Sequence, residues 1–145
     1  MAITQAVCNS FKEEILEGIH DLETAGDTIK LALYTSQATL GAATTSYTTG
    51  NEVAASGQYV AKGGTLQSQQ VSLDTGVAIV DFADLSFTGV TLTARGALIY
   101  NTSATVANAA VAVLDFTTDK SASDGTFTII FPADTSAAAI LRISG

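Results

Sequence analysis

From Thr28 onward the hydrophobic period changes to two in every segment rich in large apolar residues, so most of the chain can only bury its hydrophobic side chains as β-strands. Ile29, Leu31 and Leu33 fall on one side of such a strand and Lys30 and Tyr34 on the other. Val90, Leu92, Ala94, Gly96, Leu98 and Tyr100 alternate with Thr91, Thr93, Arg95, Ala97, Ile99 and Asn101, which predicts a long half-buried strand bent at Gly96. Asp124-Gly125 is a turn signal ahead of a strand that points Phe127, Ile129 and Phe131 inward and ends at Pro132. A last strand is expected at about 138–143. Val77–Phe82 (VAIVDF) and Val111–Phe116 (VAVLDF) echo each other, as two strands in similar environments would.

Only the beginning of the chain has a helical period. Phe11, Ile15, Ile19 and Leu22 recur every three or four residues, and Ser10 with Glu13 has the spacing of a capping box, which predicts a helix over about 11–20. The stretch from about 36 to 64 is mostly Ser, Thr, Ala and Gly and predicts a long loop or arm with one or two short strands. With no alternation of strand and helix, the expectation is a mainly β fold: an antiparallel β-sandwich or jelly roll at about 28–144 with one N-terminal helix. At 145 residues, one domain over 1–145 buries roughly 70% of the surface its unfolded chain exposes.

Charge narrows the partners. The chain is 47% hydrophobic but only 14% charged, with a net charge of −8, against about 25% charged in ordinary domains. Charged groups are depleted where a protein is held against neighbours. Lys12, Lys30, Lys62, Arg95, Lys120 and Arg142 are scattered, so no basic stripe predicts direct nucleic-acid binding, and the acidic balance opposes an anionic membrane. The start of the chain lacks a signal-peptide pattern, and no apolar run approaches the ~20 residues of a membrane span, so synthesis in a cytoplasm is expected.

Chemistry-bearing residues are sparse. His20 is the single histidine, and in the last turn of the predicted helix it would interact with the helix carbonyls. Cys8, the single cysteine, reads as a small apolar residue. Asp81 with Asp84, and Asp115 with Asp119, are the only carboxylate pairs that suggest hydrolysis, and strand-end solvation is their simpler reading. The stretch 119–125 lacks the glycine and distal glutamate of a calcium loop and reads as a polar hairpin. Asn101-Thr102-Ser103 matches a glycosylation acceptor but reads as a turn. No catalytic residue, metal ligand or cofactor is therefore expected, and the chain is read as not an enzyme.

Several segments resemble small virion proteins of tailed bacteriophages: LYTSQATL at 33–40, YTTGNEV at 47–53, GQY at 57–59, GGTL at 63–66, TARGALIYN at 93–101 and VAVLDF at 111–116. The resemblance implies a capsid cement or decoration protein on the capsid surface of the virion, bound over junctions of the major capsid protein and to itself as a dimer or trimer. The alternative is a tail, baseplate or fibre module that binds a host-surface receptor. In the cement setting the arm at 36–64 is expected to lie over a neighbour with Tyr47 and Tyr59 as its anchors, and Tyr47, Tyr59 and Arg95 are the candidate interface residues.

Overall fold

The computed structural model describes residues 2–145. The fold is mainly β, with two antiparallel sheets and one short helix near the N-terminus, as expected of a β-sandwich. The larger sheet is built on a hairpin of two long strands, β6 (Leu85–Asn101) and β7 (Ala109–Ile129). On one side β7 pairs with β1 (Ala6–Val7), and on the other β6 pairs with β2 (Ile29–Tyr34), which pairs with β3 (Gly64–Thr65). The smaller sheet has β5 (Val77–Asp81) between β4 (Gln70–Asp74) and β8 (Leu141–Ile143).

The two ends of the hairpin have different environments. Residues 97–101 of β6 and 109–114 of β7 are buried on both faces, whereas the distal part of β7 is mostly exposed. The VAVLDF segment lies in the first region and VAIVDF is central in the other sheet, so the echo joins unlike places. One hydrophobic cluster connects the layers, with Phe82, Val80, Phe131 and Leu141 meeting Phe11, Leu22 and the buried residues of β2 and β6.

Several local expectations are corrected. The helix α1 runs Asn9–Leu16, not 11–20, and its N-cap is Cys8, with no side-chain cap hydrogen bond. Ser10 Oγ has no hydrogen-bond partner, so the capping box does not form. The helix ends because Gly18 takes a φ of 75° just after the C-cap Glu17, a left-handed conformation that favours glycine. Asp124-Gly125 is not a hairpin turn: Asp124 has φ 46° and forms a bulge inside β7. A larger bulge spans 116–119, because Ala94 pairs with Lys120 while Gly96 pairs with Asp115. Gly96 is needed there, since a Cβ would lie 2.5 Å from the Leu114 carbonyl oxygen and 2.8 Å from Ile3. The last strand is shorter than expected, Leu141–Ile143.

The segment 36–63 is neither a free arm nor a floppy loop. Ala38, Leu40, Val53 and Tyr59 are buried in the main core. Its backbone also serves the sheet in place of a strand: Val53 N–H donates to the Leu33 carbonyl at 2.9 Å, and Gln58 N–H to the Thr88 carbonyl at 3.1 Å.

Candidate functional site

All four tyrosines of the chain gather around one acid, Glu52, on this packed loop. Tyr59 donates to Glu52 Oε2 at 2.8 Å, the Lys62 N–H donates to the same oxygen at 2.8 Å, and Tyr47 donates to Oε1. The Tyr59 hydroxyl also accepts from the Leu33 N–H at 2.8 Å. Tyr34 donates to the Thr48 carbonyl and Tyr100 to the Lys62 carbonyl, each at 2.6 Å. Tyr47 stacks on Tyr100 with centroids 4.9 Å apart, and Tyr59 meets the edge of Phe87 at 5.0 Å. Burial first, and then the Glu52 carboxylate, pushes Tyr100 up to about 12. Burial likewise raises Tyr34, Tyr47 and Tyr59 well above the usual phenol value. These hydroxyls stay protonated donors and hold the loop in place.

This arrangement corrects one candidate interface residue. Tyr59 is 0% exposed, so it packs inside its own chain and offers no surface to a neighbour. Tyr47 is half-buried, with its hydroxyl engaged by Glu52. Arg95, also partly exposed, lies 3.7 Å from Asp115 and 3.8 Å from Asp119, so the bulge brings one predicted carboxylate pair together around a cation. Of the other pair, Asp84 accepts from the Phe131 N–H at 2.9 Å.

His20 is not at a helix end. Its side chain is 0% exposed, and its ring packs on Phe11 at 4.8 Å. Asn101, fully buried, uses its carbonyl oxygen to accept from the Ser103 and Ala104 N–H groups. Its amide nitrogen then donates to Asp27 Oδ2 at 2.7 Å and faces His20 Nδ1 at 3.0 Å. His20 Nδ1 must therefore accept, which assigns the proton to Nε2, and Nε2 donates to Glu14 at 2.9 Å. The network ties the helix and the 20–27 segment to the end of β6. Asn101 was missed in sequence, where it read only as part of an Asn-x-Ser motif in a turn. Cys8 is fully buried, and burial pushes its thiol up to about 11 against the lowering influence of Lys12. Among the described residues, no group of three or more His, Cys, Asp or Glu is placed to hold a metal ion.

The open surfaces lie elsewhere. Beyond Asp115, whose N–H is taken by Gln5 Oε1, no strand pairs with the outer edge of β7 among the described residues. Beside that edge lies a trough of about 530 Å³ lined by Phe116, Phe127, Ile129, Phe131, Pro132 and Ile140 together with the polar Gln5, Asp115, Lys120, Ser121, Thr126 and Thr128. Ile130 also lines it and is 76% exposed. On the adjacent outward face, hydroxyl pairs join Ser86 to Thr128 and Thr93 to Ser121 at 2.9 and 2.8 Å. The middle of the edge is interrupted by the two bulges and carries Asp119, Lys120 and Asp124, features that discourage edge-to-edge aggregation. Residues 127–129 are regularly paired to β6 and free of both.

No family model, curated protein or solved structure matches the chain.

Proposed function

We propose that this protein is a structural component of a tailed-phage particle, a capsid cement or decoration protein that binds across junctions of the major capsid protein and stabilises the head. The observation that carries this reading is the unpaired outer edge of β7 with the trough beside it, which sets apolar side chains among polar ones. Such an edge takes an extended segment of a neighbour as an added strand: main-chain hydrogen bonds supply affinity, and pockets for alternate side chains supply register. The neutral Ser/Thr face beside it suits a contact whose centre is depleted of charge. The resemblance to virion proteins supports the same reading. A protein that bridges neighbours only in the expanded shell stabilises that shell by mass action, and many copies amplify a modest affinity.

Cryo-electron microscopy of the parent particle tests the proposal. Density for this chain over capsomer junctions, with β7 residues 125–129 against a capsid segment, is the expected result. Density on the tail alone refutes it and favours a receptor-binding module. Particles stripped of the protein should lose heat resistance and regain it on re-addition, and unchanged resistance counts equally against cementing.

A further inference from the structure

The buried network around His20 makes opposite demands on the two sides of the ring. On one side, Asn101 is unable to turn its amide. Its Oδ1 accepts from the Ser103 and Ala104 N–H groups at 2.8 and 3.1 Å, while its Nδ2 donates to Asp27 Oδ2 at 2.7 Å. A flipped amide would set its donors against two N–H groups and its oxygen against a carboxylate. Nδ2 therefore stays a donor toward His20 Nδ1 at 3.0 Å, and that nitrogen must keep its lone pair for as long as the contact lasts. On the other side, the Glu14 carboxylate lies 2.9 Å from Nε2, where it attracts a positively charged ring.

A proton on Nδ1 and the His20–Asn101 contact exclude each other. Both residues are buried, so a donor set against a donor there has no solvent to turn to. Glu14 still accepts from Nε2–H when the ring is protonated, so the ring stays with α1 and parts from the end of β6. Among the charged groups nearby, Glu14 comes from α1, and Asp21 and Asp27 from the segment that carries the histidine; β6 contributes the neutral Asn101, and β7 is apolar over 109–114. Lys12, Glu23 and Arg142 line the same groove as His20, between α1 and the smaller sheet. Of these, Lys12 donates to Asn9 Oδ1 and Arg142 to the Ser136 and Ala137 carbonyls. That groove, about 650 Å³, gives the ring open space to move into. Asp27 links the ring to the turn before β2, because its Oδ2 accepts from the Asp21 N–H as well as from Asn101.

We propose that His20 is an acid-sensitive latch: with Nδ1 unprotonated it clasps α1 and the 17–27 segment to the end of β6, and a proton on Nδ1 releases them. The open form binds this proton and the closed form does not. Acid therefore favours the open form, by up to about tenfold for each pH unit. The inference is independent of the virion assignment, since it uses neither the β7 edge nor a partner.

The test uses the full chain labelled with nitrogen-15. Amide hydrogen exchange, corrected for its intrinsic pH dependence, is read beside the imidazole nitrogen shifts of His20. Between about pH 7.5 and about pH 5.5, on either side of the ordinary imidazole value, protection of the Asp21 and Asp27 amides should fall by about tenfold or more. The fall should track protonation of Nδ1, while Leu98 and Ile99 in β6 keep their protection. His20→Gln retains a donor for Glu14 and an acceptor for Asn101 but cannot titrate, so its protection should stay level. Glu14→Gln still accepts from Nε2 but lacks the charge that draws the proton, so the fall should move to lower pH. If His20→Gln fails to fold, the Glu14→Gln displacement and the ring signals decide the matter. Level protection in the native protein, an equal fall in His20→Gln, or an unmoved midpoint in Glu14→Gln overturns the proposal. So does a doubly protonated ring with Asp27 still protected, or a fall shared by Leu98 and Ile99, which marks global unfolding.

Discussion

Replacing Tyr59 by Phe isolates the hydroxyl that fastens the loop to the sheet. The ring remains, so its packing against Phe87 is kept and no cavity opens. What is lost is a hydroxyl that accepts from the Leu33 N–H and donates to Glu52, both at 2.8 Å. Leu33 is 0% exposed, so its N–H is left without a partner or water. Orphaning a buried donor costs about 1–3 kcal/mol, and the hydrogen bond to a charged group adds about 1.5–3 kcal/mol. Because Glu52 keeps its bonds from Tyr47 and the Lys62 N–H, the lower part of that range applies, for a total of about 3 kcal/mol. With a urea slope of about 1–3 kcal/mol/M, the midpoint should fall by about 1–3 M at constant slope. Circular dichroism in the far ultraviolet reads the transition, and Tyr47→Phe is the control, since its half-buried hydroxyl bonds Glu52 but does not reach Leu33. A Tyr59→Phe midpoint no lower than that of Tyr47→Phe would refute the idea that this hydroxyl replaces a missing strand at Leu33.

Gly63→Ala should prevent folding, because its φ is 80° and a Cβ there would overlap the Leu31 carbonyl; Gly18→Ala, with φ 75° but open space around it, should lower stability by only about 1–2 kcal/mol, and comparing soluble yield and melting temperature checks both. Asn101→Ala removes the group that joins His20, Asp27 and the Ser103 and Ala104 N–H groups, and should cost about 3 kcal/mol or more; in the native protein, nitrogen NMR should find the His20 proton on Nε2. Stability should fall at alkaline pH. Cys8 rises on folding from 9.0 to about 11 and Tyr100 from 10.0 to about 12, so the unfolded chain loses these protons first. The stabilisation is complete below pH 9 and is lost in steps as pH rises through 9–12. Urea midpoints across that range measure it, and a flat profile contradicts the buried, protonated state of these groups.

The architecture class was legible in sequence because a period of two is a local property: a strand with one buried face must alternate, whatever it pairs with. That reasoning identified β2, β5, the long β6 and the inward set Phe127, Ile129 and Phe131. The helix was found by its period, although its end was marked by Gly18 rather than by the last apolar residue in register. Pairing and closure depend on residues far apart in the chain, and tertiary structure decided them. Asp124-Gly125 has the same local preference for positive φ in a hairpin as in a bulge, and only the partner strand β6 made it a bulge. The loop at 36–63 lacks any period, yet it is packed because Leu33 and Thr88 had backbone groups that no strand reached; its Tyr59 and Val53 met that need at Leu33 and its Gln58 at Thr88. Tyr59 therefore became a buried support instead of a contact, and the surfaces left open were those where the sheets ended without a neighbour: the β7 edge and the face between α1 and β4.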